Sequence, residues 1–339
     1  MSEWTHVPST FIIAEAGVNH NGSLDQAVQL IDAAVAAGAD AVKFQTYQTE
    51  ALVTQTAEQA TYQADNTGVR ESQFDMLKRL ELSKADHEIL WAHCQRQGIE
   101  FMSTAFDALS IDFLHQLGVR RWKIPSGELL STPYLRQIAA LNQPTILSTG
   151  MGALDEVDGA IKTLLEAGLV KNQLTVLHAT SAYPTPFDEV NLRAMHTLRQ
   201  RYGVSVGLSD HSQGIEVPIA AVALGASVIE KHFTLDKTMP GPDHKASLEP
   251  GELKQMVQSI RHIERALGSG QKAPTTQEMA TRDVARKRIV ARSPIACGER
   301  FSEANLTLKR ASQGCFADQW DHLIGQKAKR AYQRNEAID

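Results

Sequence analysis

A (β/α)8 barrel, an α/β TIM-type fold, is the class this sequence predicts, on three observations. Eight short apolar, β-branched runs recur at residues 11–14, 40–44, 100–103, 121–124, 144–147, 174–177, 204–208 and 228–230. Amphipathic stretches of helical period lie between them. Nearly every run also ends in polar or ionisable residues, as parallel barrel strands do at the rim where chemistry gathers. Near-continuous apolar strands indicate burial on both faces. A doubly wound sheet stays open as an alternative, although no Gly-x-Gly-x-x-Gly follows the first run.

Taken in order, the first run is followed by a helix over 24–37, opened by a Ser23/Gln26 capping box and closed by Gly38. After the second run, residues 46–71 are polar, Gln/Thr-rich and without clear period. So long a connection is either a functional lid or partner surface, or a decorated loop. Helices are then predicted over 84–97, 110–117, 133–140, 154–167, 190–201, 215–224 and 252–267. Pro133 follows Thr132 as a first-turn proline would, and Gly98, Gly118 and Gly225 end helices before the next strand. Residues 268–276 have linker composition, and a charged stretch covers 278–288. The domains read as a barrel over 1–268, a linker over 269–288 and a small β-rich domain over 289–339. So short a last domain buries little by itself and is expected to lean on the barrel or on another subunit.

A hydrophobic share of 42% with 22% charged residues describes an ordinary globular chain. The net charge of −5 argues against binding nucleic acid or acidic membranes. Cys94, Cys297 and Cys315 are odd in number and lack metal-type spacing, so they are read as reduced packing or surface residues. The N-terminus shows no charged leader before an apolar core, and no apolar run approaches transmembrane length. The expectation is a cytoplasmic protein.

Chemistry is expected at the strand ends. His211 and His232 follow two successive runs separated by one helix, so parallel strands would bring both imidazoles to one rim, close enough for one divalent metal. The alternative for any such pair is two satisfied core or loop histidines. Here Ser, Asp, Glu and Lys surround both at the point where the apolar run ends. Lys43 and Lys123, with Ser/Thr hydroxyls and the glycines of Ser126-Gly127 and Ser148-Thr-Gly150, suit a phosphorylated or carboxylated substrate. A lysine could instead pair structurally with Glu15 or Glu128. A Schiff-base aldolase is also conceivable, but a two-histidine metal would already supply the electrophilic activation.

The strand-end strings, in order, are Ala14-Glu-Ala-Gly-Val-Asn-His-Asn-Gly22, Val42-Lys-Phe-Gln-Thr46, Ser103-Thr-Ala-Phe106, Trp122-Lys-Ile-Pro-Ser-Gly-Glu128 and Leu147-Ser-Thr-Gly-Met151. Tyr183-Pro-Thr-Pro186, Gly207-Leu-Ser-Asp-His211, Glu230-Lys-His-Phe-Thr234 and Pro240-Gly-Pro-Asp243 complete them. This ordered set resembles the sialic acid synthase family, which includes the legionaminate and pseudaminate synthases. The resemblance runs from Phe11 to the C-terminus, where Lys309-Arg310 matches a motif of the antifreeze-like SAF domain, with Ala311 in place of proline.

The resemblance implies a phosphoenolpyruvate-dependent, carbon–carbon bond-forming transferase. It would condense phosphoenolpyruvate with open-chain N-acetylmannosamine to N-acetylneuraminate and phosphate, by C–O cleavage. The alternative is a sibling synthase using a diacetamido-trideoxy hexose to make N,N'-diacetyllegionaminate or pseudaminate. A non-catalytic sugar-binding protein is a remote third reading; it predicts erosion of Glu15, Lys43, Lys123, His211 or His232, and none is eroded. By motif, Lys43, Thr104, Lys123, Ser126, Ser148, Ser181 and Ser209 would hold phosphoenolpyruvate, Ser181 standing where some members carry Asn. Glu15 would orient or deprotonate the attacking water, with Glu128 a second carboxylate nearby. Gln45, Tyr183 and Asp243 would face the sugar. A divalent ion, Mn2+ or Mg2+, would sit on His211 and His232 and polarise the aldehyde. The implied assembly is a domain-swapped homodimer in which Arg310 of the partner copy reaches the acyl-amino group.

Overall fold

The structure, a computed structural model, describes residues 9–339. The leader reading rests partly on residues 1–8, outside that range. Eight strands form one sheet: β1 (Phe11–Gly17), β2 (Ala41–Thr46), β3 (Glu100–Ala105), β4 (Trp122–Ile124), β5 (Thr145–Ser148), β6 (Leu174–Ala179), β7 (Ser205–Asp210) and β8 (Val228–His232). Their order is β3-β2-β1-β8-β7-β6-β5-β4, every hydrogen-bonded pair is parallel, and β3 packs beside β4 to close a nearly complete barrel. The predicted fold class is therefore the observed one.

The connecting helices are α1 (Leu24–Ala37), α2 (Thr49–Leu52), α3 (Thr61–Thr67), α4 (Gln73–Leu80), α5 (Lys84–Gln97), α6 (Ala108–Leu117), α7 (Thr132–Ala140), α8 (Leu154–Glu166), α9 (Ala194–Tyr202), α10 (Glu216–Ala223) and α11 (Pro250–Leu267). At α1 the Ser23 hydroxyl accepts from Gln26 N, but the Gln26 side-chain oxygen stays without a partner, so only half of the expected box forms. Gly38 closes α1 at φ 82, its N–H reaching Ala34 and Val35, because a left-handed cap is cheapest for glycine. The helix expected from residue 190 starts only at Ala194: His178 takes the Val190 carbonyl and Asn191 turns at φ 50.

Within residues 46–71, expected without clear period as a lid, partner surface or decorated loop, the chain forms the short helices α2 and α3, and α4 follows directly. Val18, Tyr47 and Phe106, just past β1, β2 and β3, pack with Met76, Leu77 and Leu80 of α4 in a small separate core. Asn66 Nδ2 donates to Pro242 O at 2.7 Å, tying this cover to the loop after β8.

The two faces of each strand follow from their period of two. Outward residues such as Ile12, Ala14, Val42, Phe44 and Phe101 pack under the helices as the main core. Inward residues Ile13, Ala41, Met102, Ile146, Leu177 and Val228 form a second apolar cluster, the floor of the barrel interior. Gly207 faces the same space; a Cβ there would sit 2.2 Å from Val228 O and 2.7 Å from Leu177 Cδ2. No helix among the described residues is long and apolar enough to cross a membrane.

A second compact unit spans Gly270–Asp339. The charged stretch forms α12 (Thr276–Ala285), with a complete Thr275/Glu278 capping box, before an antiparallel pair, β9 (Lys287–Ala291) and β10 (Leu306–Arg310). Ile289, Ala291, Ile295, Phe301, Leu306, Leu323, Tyr332 and Ile338 give the unit an apolar core of its own.

Candidate active site

The residue two positions beyond each floor residue again points inward, and at that level the barrel turns polar. Ile13 leads to Glu15, Ala41 to Lys43, Met102 to Thr104, Ile146 to Ser148, Gly207 to Ser209 and Val228 to Glu230. Lys123 joins the layer from β4. All are at most 5% exposed, too dry for stray charges to persist unpaired. Lys43 Nζ lies 2.6 Å from Glu15 Oε2, 2.9 Å from Thr104 Oγ1 and 3.6 Å from Glu230 Oε2. Lys123 Nζ lies 3.3 Å from Glu230 Oε1, which also accepts from Ser209 Oγ at 2.7 Å.

Glu230 is the residue the strand-end inventory missed. It sits inside β8, two residues before His232, so the same inward period would have found it. Its neighbour Lys231 points the other way and pairs with Asp210.

Electrostatics divides the two carboxylates. Burial lifts the Glu15 carboxyl to about 7; Lys43 opposes this and the Glu230 charge adds to it. Burial pushes Glu230 up as well, but Lys123, Lys43 and the Ser209 hydroxyl outweigh it and hold the group well below the carboxylate range. Burial would depress Lys43, but Glu15 and Glu230 reverse that and raise it. Lys123 is depressed by burial, which Glu230 offsets only in part. Glu15 is thus the group poised to exchange a proton near neutral pH, and Glu230 is a fixed anion.

Beside this layer two hydroxyls, Ser126 and Ser181, converge on Gly150 in the turn after β5. Gly150 N donates to Ser126 Oγ at 2.9 Å, and a Cβ on Gly150 would meet Ser181 Oγ at 2.4 Å and Ser126 Oγ at 2.8 Å. Ser148 Oγ is buried with no hydrogen-bond partner. A close glycine backbone and an unsatisfied hydroxyl make a cradle suited to an oxyanion.

The histidines meet as expected. His211 follows β7 directly, His232 ends β8, and their ring centroids are 5.6 Å apart. The Tyr183 ring lies 4.2 Å from His211 and 5.9 Å from His232. His211 Nδ1 is 2.7 Å from Thr180 O; a carbonyl only accepts, so this nitrogen carries the proton and Nε2 keeps its lone pair. Burial lowers the pKa of His211 and lowers that of His232 further, where the neighbouring His211 adds to it. Both rings are therefore neutral, the ligating form, and His232 Nδ1 is buried without a partner. Among the described residues no group of three or more His, Cys, Asp or Glu has metal-site spacing. The donor set is two imidazoles, which fits a divalent cation without selecting one.

The remaining expected residues are less tightly joined. Gln45 shares the inward face of β2 with Lys43 and is half-buried. Glu128 is half-buried in the 3-10 turn Ser126–Glu128, makes no ion pair or side-chain hydrogen bond among the described residues, and acts electrostatically on the Tyr134 hydroxyl. Arg310 is exposed at the end of β10 in the second unit. Asp243, in the loop after β8, is 8% exposed, and burial raises its carboxyl from 3.8 to about 6.

Because the folded state binds the Asp243 proton more tightly than the unfolded chain does, the group's contribution to stability is complete below about 4 and lost as pH rises through about 6. Above that, the buried anion costs on the order of 2–3 kcal/mol. Asp243→Asn should therefore raise the melting temperature at pH 8 and leave it unchanged at pH 4. Thermal melts at the two pH values check this; an equal gain at both would refute it.

The NeuB family model matches residues 30–272, and the SAF domain model matches residues 286–339. Over 329 residues the chain is 48% identical to the N,N'-diacetyllegionaminic acid synthase of Campylobacter jejuni, covering 97% of this chain and 98% of that one. The protein of the same name from Legionella pneumophila is 49% identical over 319 residues, covering 94% and 90%. Among solved structures, the N-acetylneuraminic acid (sialic acid) synthetase of Leptospira borgpetersenii, in complex with citrate, matches with a TM-score of 0.70 at 34% identity, covering 81% of this chain and 92% of that one.

Proposed function

Because this chain belongs to the NeuB family, whose members are phosphoenolpyruvate-dependent nonulosonic acid synthases, we propose that its acceptor is a diacetamido-trideoxy hexose and its product N,N'-diacetyllegionaminate. One observation carries the acceptor: 48% and 49% identity, over nearly the whole chain, to two synthases of that acid. N-acetylmannosamine, the first reading from the sequence, gives way on this point. The chemistry at the phosphoenolpyruvate end is common to both acceptors.

In the proposed reaction Lys43, Lys123, Thr104, Ser148 and Ser209 hold phosphoenolpyruvate. Ser126 and Ser181 face the anion at Gly150. Before binding, the two lysines face Glu15 and Glu230; a multiply charged anion then draws the lysines toward itself, and Glu230 keeps both within reach. C3 of phosphoenolpyruvate attacks the aldehyde carbon: the C2=C3 π pair forms the new C–C bond and leaves positive charge at C2. The aldehyde C=O π pair moves to its oxygen, which takes up a proton to become the product hydroxyl. Water adds at C2 with Glu15 taking one of its protons. The C2–O bond to phosphate then breaks with its electron pair going to the departing phosphate, which takes up the remaining hydroxyl proton as the C2 ketone forms. A divalent ion on His211 and His232, Mn2+ or Mg2+, would supply Lewis-acid polarisation of the aldehyde oxygen. Tyr183, Gln45 and Asp243 line the sugar side, with Glu128 as a second carboxylate close by. We further assign Arg310 to the sugar's acyl-amino group in a homodimer.

The test offers the purified enzyme phosphoenolpyruvate with each free sugar in turn and reads phosphate release and product mass. The diacetamido-trideoxy hexose should exceed N-acetylmannosamine in kcat/KM by about 10–100-fold or more, since each misplaced group in a fitted pocket costs roughly 1–3 kcal/mol. A preference for N-acetylmannosamine would overturn the acceptor. In the same panel Arg310→Ala should raise the sugar KM and leave that of phosphoenolpyruvate unchanged.

A further inference from the structure

The buried pair of Asp210 and Lys231 takes no part in the chemistry above, yet each member is the chain neighbour of one of the two histidines. Its side chains are 2% and 0% exposed, and Lys231 Nζ lies 2.6 Å from Asp210 Oδ2. The two are register partners on β7 and β8. Asp210 immediately precedes His211 and Lys231 immediately precedes His232, so alternation turns the ion pair away from the rings. Asp210 Oδ1 accepts from Ser212 N at 3.0 Å and from Ser212 Oγ at 2.8 Å. The Lys231 ammonium also donates to the Ser212 carbonyl. The peptide on both sides of His211 is thus tied to the residue before His232, and Thr180 O holds the His211 ring from a further direction.

Stability alone does not account for charge here. A buried ion pair is often no better than a well-packed apolar pair of the same volume, and the register pair two residues earlier on the same face of these strands, Leu208 with Ile229, is apolar. What a carboxylate and an ammonium add is direction: four polar contacts fix three residues around the imidazoles. We propose that Asp210, Lys231 and Ser212 are positioning residues that set the separation of His211 and His232 for one divalent cation. This rests on the metal reading above.

The test measures Mn2+ binding to the protein without substrates, by the electron paramagnetic resonance signal of unbound Mn2+, for the wild type, Asp210→Asn and Ser212→Ala. Outer-shell groups of metal sites typically contribute about 10–100-fold in affinity. Asp210→Asn should therefore weaken Mn2+ binding by about that factor, and Ser212→Ala by less. Excess Mn2+ should restore kcat, and the phosphoenolpyruvate KM at saturating Mn2+ should stay within about twofold of the wild type. Variants that bind Mn2+ like the wild type, whatever their melting temperature, overturn the positioning role and leave the metal reading intact. If Asp210→Asn does not fold, Ser212→Ala decides, and an unchanged dissociation constant there overturns the proposal. A wild type that binds neither Mn2+ nor Mg2+ refutes the metal reading itself, and the positioning role with it.

Discussion

Glu15→Gln should lower kcat by about 10²–10⁴-fold, the usual contribution of a positioned general base, while the phosphoenolpyruvate KM changes by less than about tenfold. The expectation rests on position and charge together. Glu15 pairs in register with His232, and a point beside Gly17 lies 3.4 Å from Glu15 Oε1 and 3.3 Å from His232 Cε1, so the carboxylate borders the proposed aldehyde site. Burial has raised its carboxyl to about 7, which lets it accept a proton near neutral pH, whereas Glu230 is held too low to do so. Glutamine keeps the shape and removes the base. Lys43 loses one partner but keeps Thr104 and Glu230, so anion binding should survive. Steady-state phosphate release with each substrate varied separates the two effects. A variant retaining more than a tenth of wild-type kcat would remove Glu15 from the proton transfer. Glu128→Gln, measured alongside, would then show whether the second carboxylate does that work.

Much of this site could be read from the chain because a barrel converts order into place. Each strand is a short apolar run with a polar end, and the polar ends of parallel strands share one rim. That reasoning brought Glu15, Lys43, Thr104, Lys123 and Ser209 into one buried layer and the two histidines to 5.6 Å. It was less able to say which way a residue points. Polar residues at the end of a run need not face the interior: Lys231, His178 and Asp210 fasten the structure instead, Lys231 to Asp210, His178 to Val190 O, Asp210 to Ser212. Counting by twos from the interior floor, Val228 leads to Glu230 and not to Lys231. The cover after β2 was illegible for another reason. Helices of four, seven and eight residues (α2, α3 and α4) complete too few turns to show a period, and Leu52 of α2 and Met76, Leu77 and Leu80 of α4 pack in one cluster with Val18, Tyr47 and Phe106, brought together only by the folded barrel.

Replacing either histidine should be as severe as losing Glu15. Phosphoenolpyruvate C3 is a modest nucleophile, so the aldehyde must be activated, and a Lewis acid supplies several kcal/mol of that activation. At about 1.4 kcal/mol per factor of ten, His211→Ala or His232→Ala should reduce phosphate release by roughly 10²–10³-fold or more. Chelation of the wild type should give the same loss, reversed by added Mn2+ or Mg2+; the variants should recover little, since one imidazole of a two-imidazole donor set remains. Asparagine or glutamine at either position would fill the space and test whether packing against Tyr183, 4.2 Å from the His211 ring, is the real contribution. Two alanine variants with full activity would refute the metal assignment. Normal turnover in the chelated wild type, with loss in the variants, would instead make the neutral rings direct hydrogen-bond partners of the sugar.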